Sequence, residues 1–480
     1  MTVHSHTPTS LLKRIKGIHH GTTTKTAADP PETNASAPVV EEVGGRGHIG
    51  LVVLGSIAFG LILGLVLVLG VFGGGREHLI TGSALVALGL GMLMLFVLAR
   101  RSTDQPQPWA LAPAVGLGVV GLALIVLGPS GRVLGWLGWV WPLLLAALVV
   151  WSWRGARHSL HNWSRRALLY PCFVILGLVA LGGAYETVSE ATMSNAPTSG
   201  RTYLVAGHRL YVSCAGSGSP TVVLFNGLAE RTPSWAWVQR DVAATTRVCV
   251  FDRAGQGWSG KAPGLQDAHQ LSADVDGLLA AANIPGPYVV AGHSVGGAYA
   301  LAYAMDYPKK VAGVALIDSA SPYQFDLPSY PTFYALWRRG SALLPTLARA
   351  GVARVYSLGM GASTLPPDAR RQAGAFSSLP REVRADRDEF AELKTVLHQD
   401  QALTSLDGKP LFVLTADLGQ QSGWFASQGK LATLSTNSAH QTTQGATHVA
   451  LLEEEHYAGV SSRAIAAVVH SVRTGKPLAR

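Results

Sequence analysis

The sequence predicts an α-helical transmembrane bundle of about five spans, followed by an α/β domain that has a mostly parallel sheet and a helical cap. Two observations support this prediction. Between residues 49 and 185 lie long apolar stretches that contain no Asp, Glu, Lys, Arg or His. From residue 201 onward, short apolar β-branched runs alternate with helical patterns instead, which is typical of a parallel sheet covered by helices.

Each apolar stretch is close to the roughly 20 residues that are needed to cross a bilayer core. Transporters and proton relays usually keep ionisable side chains inside the membrane, and these stretches have none. We therefore interpret the spans as an anchor or assembly module. The five stretches are Ile49–Phe72, Leu79–Ala99, Trp109–Gly128, Val133–Trp153 and Ala167–Tyr185.

The basic residues between the spans predict their orientation. The first and third connections carry one arginine each, Arg76 and Arg132. The positive-inside rule therefore assigns the N-terminal tail and the second and fourth connections to the cytoplasm. An odd number of spans then delivers the α/β domain outside the cytoplasm, and we expect an integral protein of the plasma membrane. The basic residues of the tail and of those two connections are Lys13, Arg14, Lys16, Lys25, Arg46, Arg100, Arg101, Arg154, Arg157, Arg165 and Arg166.

The rest of the chain divides by composition. Residues 1–48 are rich in Thr, Pro, Ala and Ser and are expected to form a disordered cytoplasmic tail. Residues 186–200 are small and polar, as in a linker, and residues 201–480 form one domain with a cap at 319–405. The net charge of +9 forms no basic stripe interleaved with aromatic residues, so nucleic acid is not an expected partner.

The most informative stretch is Tyr288–Gly297, with the sequence YVVAGHSVGG. A short apolar strand leads into the G-x-S-x-G pentapeptide Gly292-His293-Ser294-Val295-Gly296, and a helix pattern follows. A serine on such a sharp strand-to-helix turn is the setting of a catalytic nucleophile. The helix N-terminus beside it favours negative charge that develops during a reaction.

Four motifs together resemble the α/β-hydrolase superfamily, in its capped esterase/lipase-like and epoxide-hydrolase-like branch. They are Asn226-Gly227-Leu228, the DRAGQGWS run at Asp252–Ser259, the pentapeptide around Ser294, and Thr447-His448. The resemblance covers residues 201–475 and excludes the apolar front of the chain. It implies an α/β-hydrolase fold. Because epoxide hydrolases of the superfamily use an aspartate where this chain has a serine, it also implies acyl chemistry.

The resemblance implies a catalytic triad. Ser294 is the candidate nucleophile, and a serine hydroxyl needs an adjacent base. His448, after the last predicted strand, stands where the family places its histidine. Two residues satisfy the chain order serine, acid, histidine, namely Asp318 after VAGVALI and Asp417 after KPLFVLTA. We favour Asp318 slightly, because it fits its family position cleanly and Asp417 comes a little early.

The oxyanion of the reaction is expected to bind two backbone N–H groups, those of Leu228 and Val295. Asp252 and Arg253 are interpreted as structural residues of a turn. His293 is interpreted as solvated or structural, because its position next to the nucleophile makes it a poor base.

Three cysteines are present. Cys172 lies in the fifth predicted span and is expected to be inert. The family's sheet order makes the strands of Cys214 and Cys249 neighbours. An exported domain permits a disulfide between them, and two small buried thiols are the alternative.

We therefore expect a membrane-anchored serine hydrolase that cleaves carboxylic esters through an acyl-enzyme. Its substrate would be a small-molecule or lipid ester, with membrane lipid around its spans. The sequence identifies no protein partner. No metal-ligand cluster or phosphate-binding glycine loop is evident, so no cofactor is expected. Two alternatives stay open, an acyltransferase that uses the same triad and a non-catalytic binding or sensing module.

Overall fold

The computed structural model describes residues 48–160, 166–193, 199–359 and 363–479, so the predicted tail lies almost wholly outside the described residues. Its N-terminal part is helical, and the first helix continues as a π-helical segment over Val66–Val71. The helices are α1 Ile49–Leu65, α2 Glu77–Ser102, α3 Leu111–Leu127, α4 Gly131–Leu137, α5 Trp141–Ser159 and α6 Tyr170–Thr192.

These helices lie where the apolar stretches predicted them. Four helical segments of the described chain are long and apolar enough to cross a membrane, and the pair α4 and α5, bent by 49°, makes a fifth if it forms one span. The bend follows α4 at residues 138–140. Helix α6 continues to Thr192, into the stretch predicted as a linker. The helix persists there because Glu186 is buried and paired with Arg354.

Glycines allow the first three helices to pack closely. A Cβ added to Gly91 of α2 would lie 2.9 Å from the carbonyl oxygen of Ser56 in α1. On the other side of α2, a Cβ on Gly82 would lie 2.7 Å from the carbonyl oxygen of Gly121 in α3. Small residues at helix crossings let backbones approach in this way, so the bundle depends on these positions.

The second part of the chain is built on one sheet of eight strands in the order β1-β2-β4-β3-β5-β6-β7-β8. β2 pairs antiparallel with both β1 and β4, and every other neighbouring pair is parallel. The predicted fold class, apolar helices followed by a mostly parallel α/β domain, is therefore confirmed. The strands are β1 Arg201–Val205, β2 His208–Ala215, β3 Thr221–Phe225, β4 Val248–Asp252, β5 Tyr288–His293, β6 Val311–Ile317, β7 Leu411–Leu418 and β8 Ser438–Thr447.

Helices cover both faces of this sheet and bury two large apolar clusters against it. Burial of this apolar surface is the main force that holds the layers together. The helices outside the cap are α7 Ala236–Ala243, α8 Ala268–Ala281, α9 Val295–Asp306, α15 Trp424–Ala432, α16 Ala450–Glu453 and α17 Glu455–Thr474.

The chain between β6 and β7 forms the cap and contains only helices and connections in its described residues. The cap packs against the end of the bundle that holds the first and third connections. There Glu77 accepts hydrogen bonds from Arg349 and Arg384, both at 2.7 Å. The cap helices are α10 Tyr330–Ser341, α11 Leu344–Arg349, α12 Val352–Gly359, α13 Pro367–Phe376 and α14 Pro380–Asp400.

Cys214 and Cys249 are direct partners in the antiparallel pairing of β2 with β4. Their Cα atoms lie 4.1 Å apart and their sulfurs form a disulfide. The sequence left open whether these cysteines form a disulfide or two buried thiols, and in the structure they form the disulfide. Cys172 is a free thiol in α6.

Candidate active site

Ser294 occupies a strained turn between β5 and α9. Its backbone has φ of 55° and ψ of −127°, a region that residues with a side chain rarely adopt. The surrounding glycines make the turn possible. A Cβ on Gly292 would meet the carbonyl oxygen of Gly296, and a Cβ on Gly296 would meet that of Phe225. The tight packing therefore holds the Ser294 backbone in a conformation that presents its side chain at the strand end.

Two hydrogen bonds attach this turn to the next strand of the sheet. The N–H of Ser294 donates to the carbonyl oxygen of Ile317 at 3.1 Å, and the N–H of Ala320 donates to that of Ser294 at 2.8 Å. Asp318 lies between these two partners. The carboxyl ends of the parallel strands β5 and β6 thus bring the nucleophile candidate and one acid candidate to the same edge.

Asp318 contacts His448, which follows β8. Its Oδ2 atom lies 2.5 Å from His448 Nδ1, and the carboxylate also accepts hydrogen bonds from Trp424 Nε1 at 2.8 Å and Gln420 Nε2 at 3.0 Å. Burial alone would raise the pKa of Asp318. The hydrogen bond and charge of His448, with the Trp424 donor, outweigh burial and hold that pKa below its usual value. Asp318 is therefore an ionised carboxylate that orients the imidazole.

Asp417 has a different partner. It lies near the end of β7, where the pairing with β8 is irregular between Ala416 and Leu418, and its carboxylate accepts the N–H of Gly445 at 3.2 Å. The structure thus brings Asp318 rather than Asp417 to His448. Among the described residues, Ser294 Oγ has no hydrogen-bond partner. Catalytic hydrogen bonds in unliganded enzymes often form only when substrate binds.

Leu228 and Val295, the predicted oxyanion donors, have free backbone N–H groups: within the described chain, neither donates a hydrogen bond. Val295 is the first residue of α9. The loop before Leu228 is held by Arg253, which donates to the carbonyl oxygen of Gly227 at 2.8 Å and also to that of Asn226. Arg253 therefore has a structural role: it holds the loop that leads to Leu228.

The sequence did not reveal a second pair beside the site, formed by Glu230 and His293. Glu230 Oε1 lies 2.5 Å from His293 Nδ1, and Glu230 Oε2 accepts the N–H of Gly227 at 2.5 Å. His293 Nε2 lies 3.0 Å from the carbonyl oxygen of His448. Both ring nitrogens of His293 face acceptors, so both carry protons and the ring is an imidazolium.

Electrostatics agree with this protonation. Burial of His293 alone would lower its pKa, but the charge and hydrogen bond of Glu230 outweigh burial and raise it. Burial of Glu230 alone would raise its pKa, and the charge and hydrogen bond of His293 lower it below the usual value. The two residues form an ion pair in which His293 is fully buried and Glu230 half-buried. His293 is structural, one of the two interpretations that the sequence allowed, and not solvated. Because 63 positions separate the two residues, no local pattern could have revealed the pair.

Buried ion pairs fasten the cap helix α14 over this edge of the sheet. Glu382 accepts a hydrogen bond from Arg231 at 2.7 Å, and Glu389 accepts one from Arg253 at 2.8 Å. Asp252, which we interpreted from the sequence as structural, makes no such link to the cap among the described residues. It accepts the N–H of Thr232 at 2.8 Å and so fixes a turn. Through Glu389, the cap is joined to Arg253, the same arginine that holds the loop before Leu228.

Comparison with known proteins finds a family match for part of the chain. Residues 220–455 match the sequence model of the family described as alpha/beta hydrolase fold. A 2-hydroxymuconate semialdehyde hydrolase of a Pseudomonas species is 32% identical over 26% of this chain and 45% of its own length. An uncharacterised protein of Schizosaccharomyces pombe is 27% identical over 32% of this chain and 33% of its own length.

Among solved structures, an esterase from Thermogutta terrifontis is similar to this chain with a TM-score of 0.43 and 20% identity. The match covers 57% of this chain and 99% of the esterase. The two curated relatives are each matched over less than half of their own length.

Proposed function

The chain from residue 220 to residue 455 belongs to the α/β-hydrolase family, and we propose on this basis that the protein is a membrane-anchored serine hydrolase that cleaves carboxylic esters. The observation that carries the proposal is the 2.5 Å hydrogen bond between Asp318 and His448, beside the strained turn of Ser294. An imidazole oriented by a carboxylate, at the same edge of the sheet as a serine at a helix N-terminus, suits acyl transfer.

In the first half-reaction, Ser294 Oγ attacks the ester carbonyl carbon while His448 Nε2 takes the serine proton. Asp318 remains ionised and stabilises the imidazolium that forms. The N–H groups of Leu228 and Val295 donate to the negative oxygen of the tetrahedral intermediate. The C–O bond to the alcohol then breaks, His448 returns its proton to that alcohol, and the acyl group stays on Ser294.

In the second half-reaction, a water molecule gives a proton to His448 and attacks the acyl carbon. The bond to Ser294 Oγ breaks, His448 returns the proton to that oxygen, and the free acid leaves. We expect purified protein to hydrolyse p-nitrophenyl esters. The Ser294→Ala substitution should lower kcat/KM by at least about 10³-fold. Equal hydrolysis by the variant would contradict the proposal.

The same assay separates hydrolysis from acyl transfer. With an alcohol present, a hydrolase forms free acid as its main product, whereas an acyltransferase forms the new ester. A folded wild-type protein that forms neither product would favour the alternative of a binding or sensing module, since fold alone does not fix function.

We also propose that the spans place this domain outside the cytoplasm. The cap contacts the end of the bundle at Glu77, the first residue of α2, and at Leu134 in α4, next to the connections that carry few basic residues. The arginine-rich connections, with Arg100 and Arg154, belong to the other predicted side. The Cys214–Cys249 disulfide also suits an oxidising compartment.

A reporter fusion tests this orientation. Alkaline phosphatase, which is active only outside the cytoplasm, should be active when fused after Arg480. A reporter that is active only in the cytoplasm should be inactive at the same position. The reverse pattern would contradict the orientation and leave the proposed chemistry untouched.

A further inference from the structure

The cap exposes a set of large apolar side chains near the end of the helical bundle. An exposed group of this size on a soluble domain marks an interaction site. We call it the cap apolar face, and it consists of Phe333, Leu336, Trp337, Leu344, Leu347, Val352 and Val355.

The sequence of α10 explains how this face forms. Tyr330 and Tyr334 point toward the domain: Tyr330 is buried, and the Tyr334 hydroxyl donates to the carbonyl oxygen of Ala391 at 2.9 Å. Phe333 and Leu336 lie on another side of the helix and are exposed. Trp337, one residue further, is also exposed and stacks on Phe333. Helix α10 therefore presents aromatic and aliphatic side chains outward as well as toward the domain.

The position of α10 relative to the first candidate span limits what can cover it. Helix α1 and its π-helical extension end at Val71. A Cβ added to Gly73 would lie 3.3 Å from Arg339 Cγ, and one added to Gly74 would lie 3.6 Å from Arg338 Cγ. The end of α10 thus lies against the turn at Gly73 and Gly74, which directly follows the first candidate span.

Two further contacts hold the next cap helix at this level. The hydroxyls of Thr346 in α11 and Thr81 in α2 lie 2.8 Å apart. Arg349, at the end of α11, donates to Glu77 at 2.7 Å. The cap apolar face is therefore fixed beside the ends of α1 and α2 rather than on a distant part of the domain.

Exposed apolar side chains also surround the bundle at this end. Leu69 and Val71 at the end of the first span are exposed, as are Val126 and Leu127 at the end of α3. In a membrane, such side chains of a span contact lipid. The cap apolar face continues this surface past the span ends, and Trp337 has the amphipathic ring that is common at the headgroup level.

We propose that the cap apolar face lies in the headgroup and acyl-chain boundary of the leaflet that adjoins the catalytic domain. Arg338 and Arg339, at the end of α10, would meet anionic headgroups there. The cap begins just after Asp318 in the chain. The inference rests on the proposed function, and it specifies the substrate class: an ester dissolved in that leaflet, which reaches the site from the membrane side.

The first test measures membrane contact without using activity. In a Cys172→Ala background, single cysteines replace Leu336, Leu61 or Leu204 and are labelled with bimane in the full chain. The protein is then reconstituted in vesicles of phosphatidylcholine and phosphatidylglycerol that contain doxyl-labelled lipid. Leu336 is 67% exposed and Leu204, on the edge strand β1, is 72% exposed, so the two leucines form a matched pair.

The proposal predicts quenching by the doxyl lipid at positions 336 and 61 and none at position 204. Quenching at position 61 but not at 336 overturns the inference. A label at 336 that is shielded from both lipid and aqueous iodide also overturns it, because a protein then covers the face. No quenching at position 61 contradicts the membrane spans and the inference with them.

The second test uses activity and separates the inference from the proposed chemistry. The double variant Leu336→Asp, Val355→Asp should lower kcat/KM for a long-chain ester in vesicles by at least about tenfold, and should leave hydrolysis of a soluble short-chain ester unchanged. Equal activity of variant and wild type on the vesicle ester overturns the inference. No hydrolysis of either ester by folded wild type contradicts the proposed function, and the quenching result then decides the membrane contact alone.

Discussion

Glu230 and the buried His293 form a bridge between two loops of the candidate site. Glu230 Oε2 holds the N–H of Gly227 at 2.5 Å, and Glu230 Oε1 lies 2.5 Å from His293 Nδ1. The other nitrogen of His293 lies 3.0 Å from the carbonyl oxygen of His448, and the two rings are 4.4 Å apart. The pair thus sets the distance between the loop that carries Leu228 and the loop that carries His448.

Replacing His293 should therefore impair the site without removing a reacting group. We expect His293→Gln to lower kcat for ester hydrolysis by about 10²-fold, because small displacements of catalytic groups are this costly, and to change KM little. His456→Gln, at an exposed histidine of α17, is the control and should keep wild-type kcat. A His293 variant with wild-type kcat would show that the bridge does not position the loops.

The same pair makes stability depend on pH. Because the pKa of His293 is raised in the folded protein, its contribution to the free energy of unfolding is complete below its ordinary pKa of 6.5 and is lost as the pH rises through the folded pKa. The Tm difference between wild type and His293→Gln should therefore be larger in mildly acidic than in alkaline buffer. A difference that grows as the pH rises would contradict the imidazolium assignment.

Two aspartates could have completed the triad by sequence order, and mutation separates them. Asp318→Asn should lower kcat by about 10⁴-fold, because the imidazole then loses its oriented tautomer. Asp417→Asn should lower kcat by less than about tenfold, since its carboxylate accepts only the N–H of Gly445 among the described residues. Large and equal losses, with both variants folded, would contradict a single acid.

The disulfide gives a prediction about both compartment and stability. Alkylation of denatured, unreduced protein should modify one cysteine, Cys172, and reduction beforehand should raise the number to three. Cys214→Ser should lower the free energy of unfolding by about 2–5 kcal/mol. Alkylation of all three cysteines without reductant would exclude the bridge in the protein as isolated.

Glu77 joins the cap to the bundle and should be a sensitive position. Its side chain is 3% exposed and pairs with both Arg349 and Arg384. Glu77→Gln leaves two arginines without their shared carboxylate, and losing one partner of a buried ion pair costs about 3–5 kcal/mol. We expect a clear fall in Tm in detergent.

Asp368→Asn is the matched control for Glu77→Gln. Asp368 pairs with Arg371, but its side chain is 80% exposed, and exposed pairs contribute little to stability. The control should leave Tm unchanged. Equal shifts in both variants would contradict a special role for Glu77.

The sequence predicted the strands, the strand-to-helix turn at Ser294 and the apolar helices because each depends on local spacing. Which of Asp318 and Asp417 contacts His448 depends on contacts between distant segments. These are the register of β7 against β8 and the hydrogen bonds that Trp424 and Gln420 donate to Asp318. The 49° bend between α4 and α5 could not be predicted from hydropathy, because hydropathy carries no information on the angle between helix axes. The pairing of Glu77 with arginines of the cap joins residues 272 and 307 positions apart, beyond any local pattern.

The most direct test of the central claim is labelling with a fluorophosphonate probe, followed by peptide mass spectrometry. An activated serine at the turn between β5 and α9 predicts one modified residue, Ser294, in folded wild-type protein and no modification in Ser294→Ala. His448→Gln should slow the labelling strongly, because the hydroxyl then lacks its base. Folded wild-type protein that stays unlabelled, or that is labelled equally in the Ser294→Ala variant, would contradict the account.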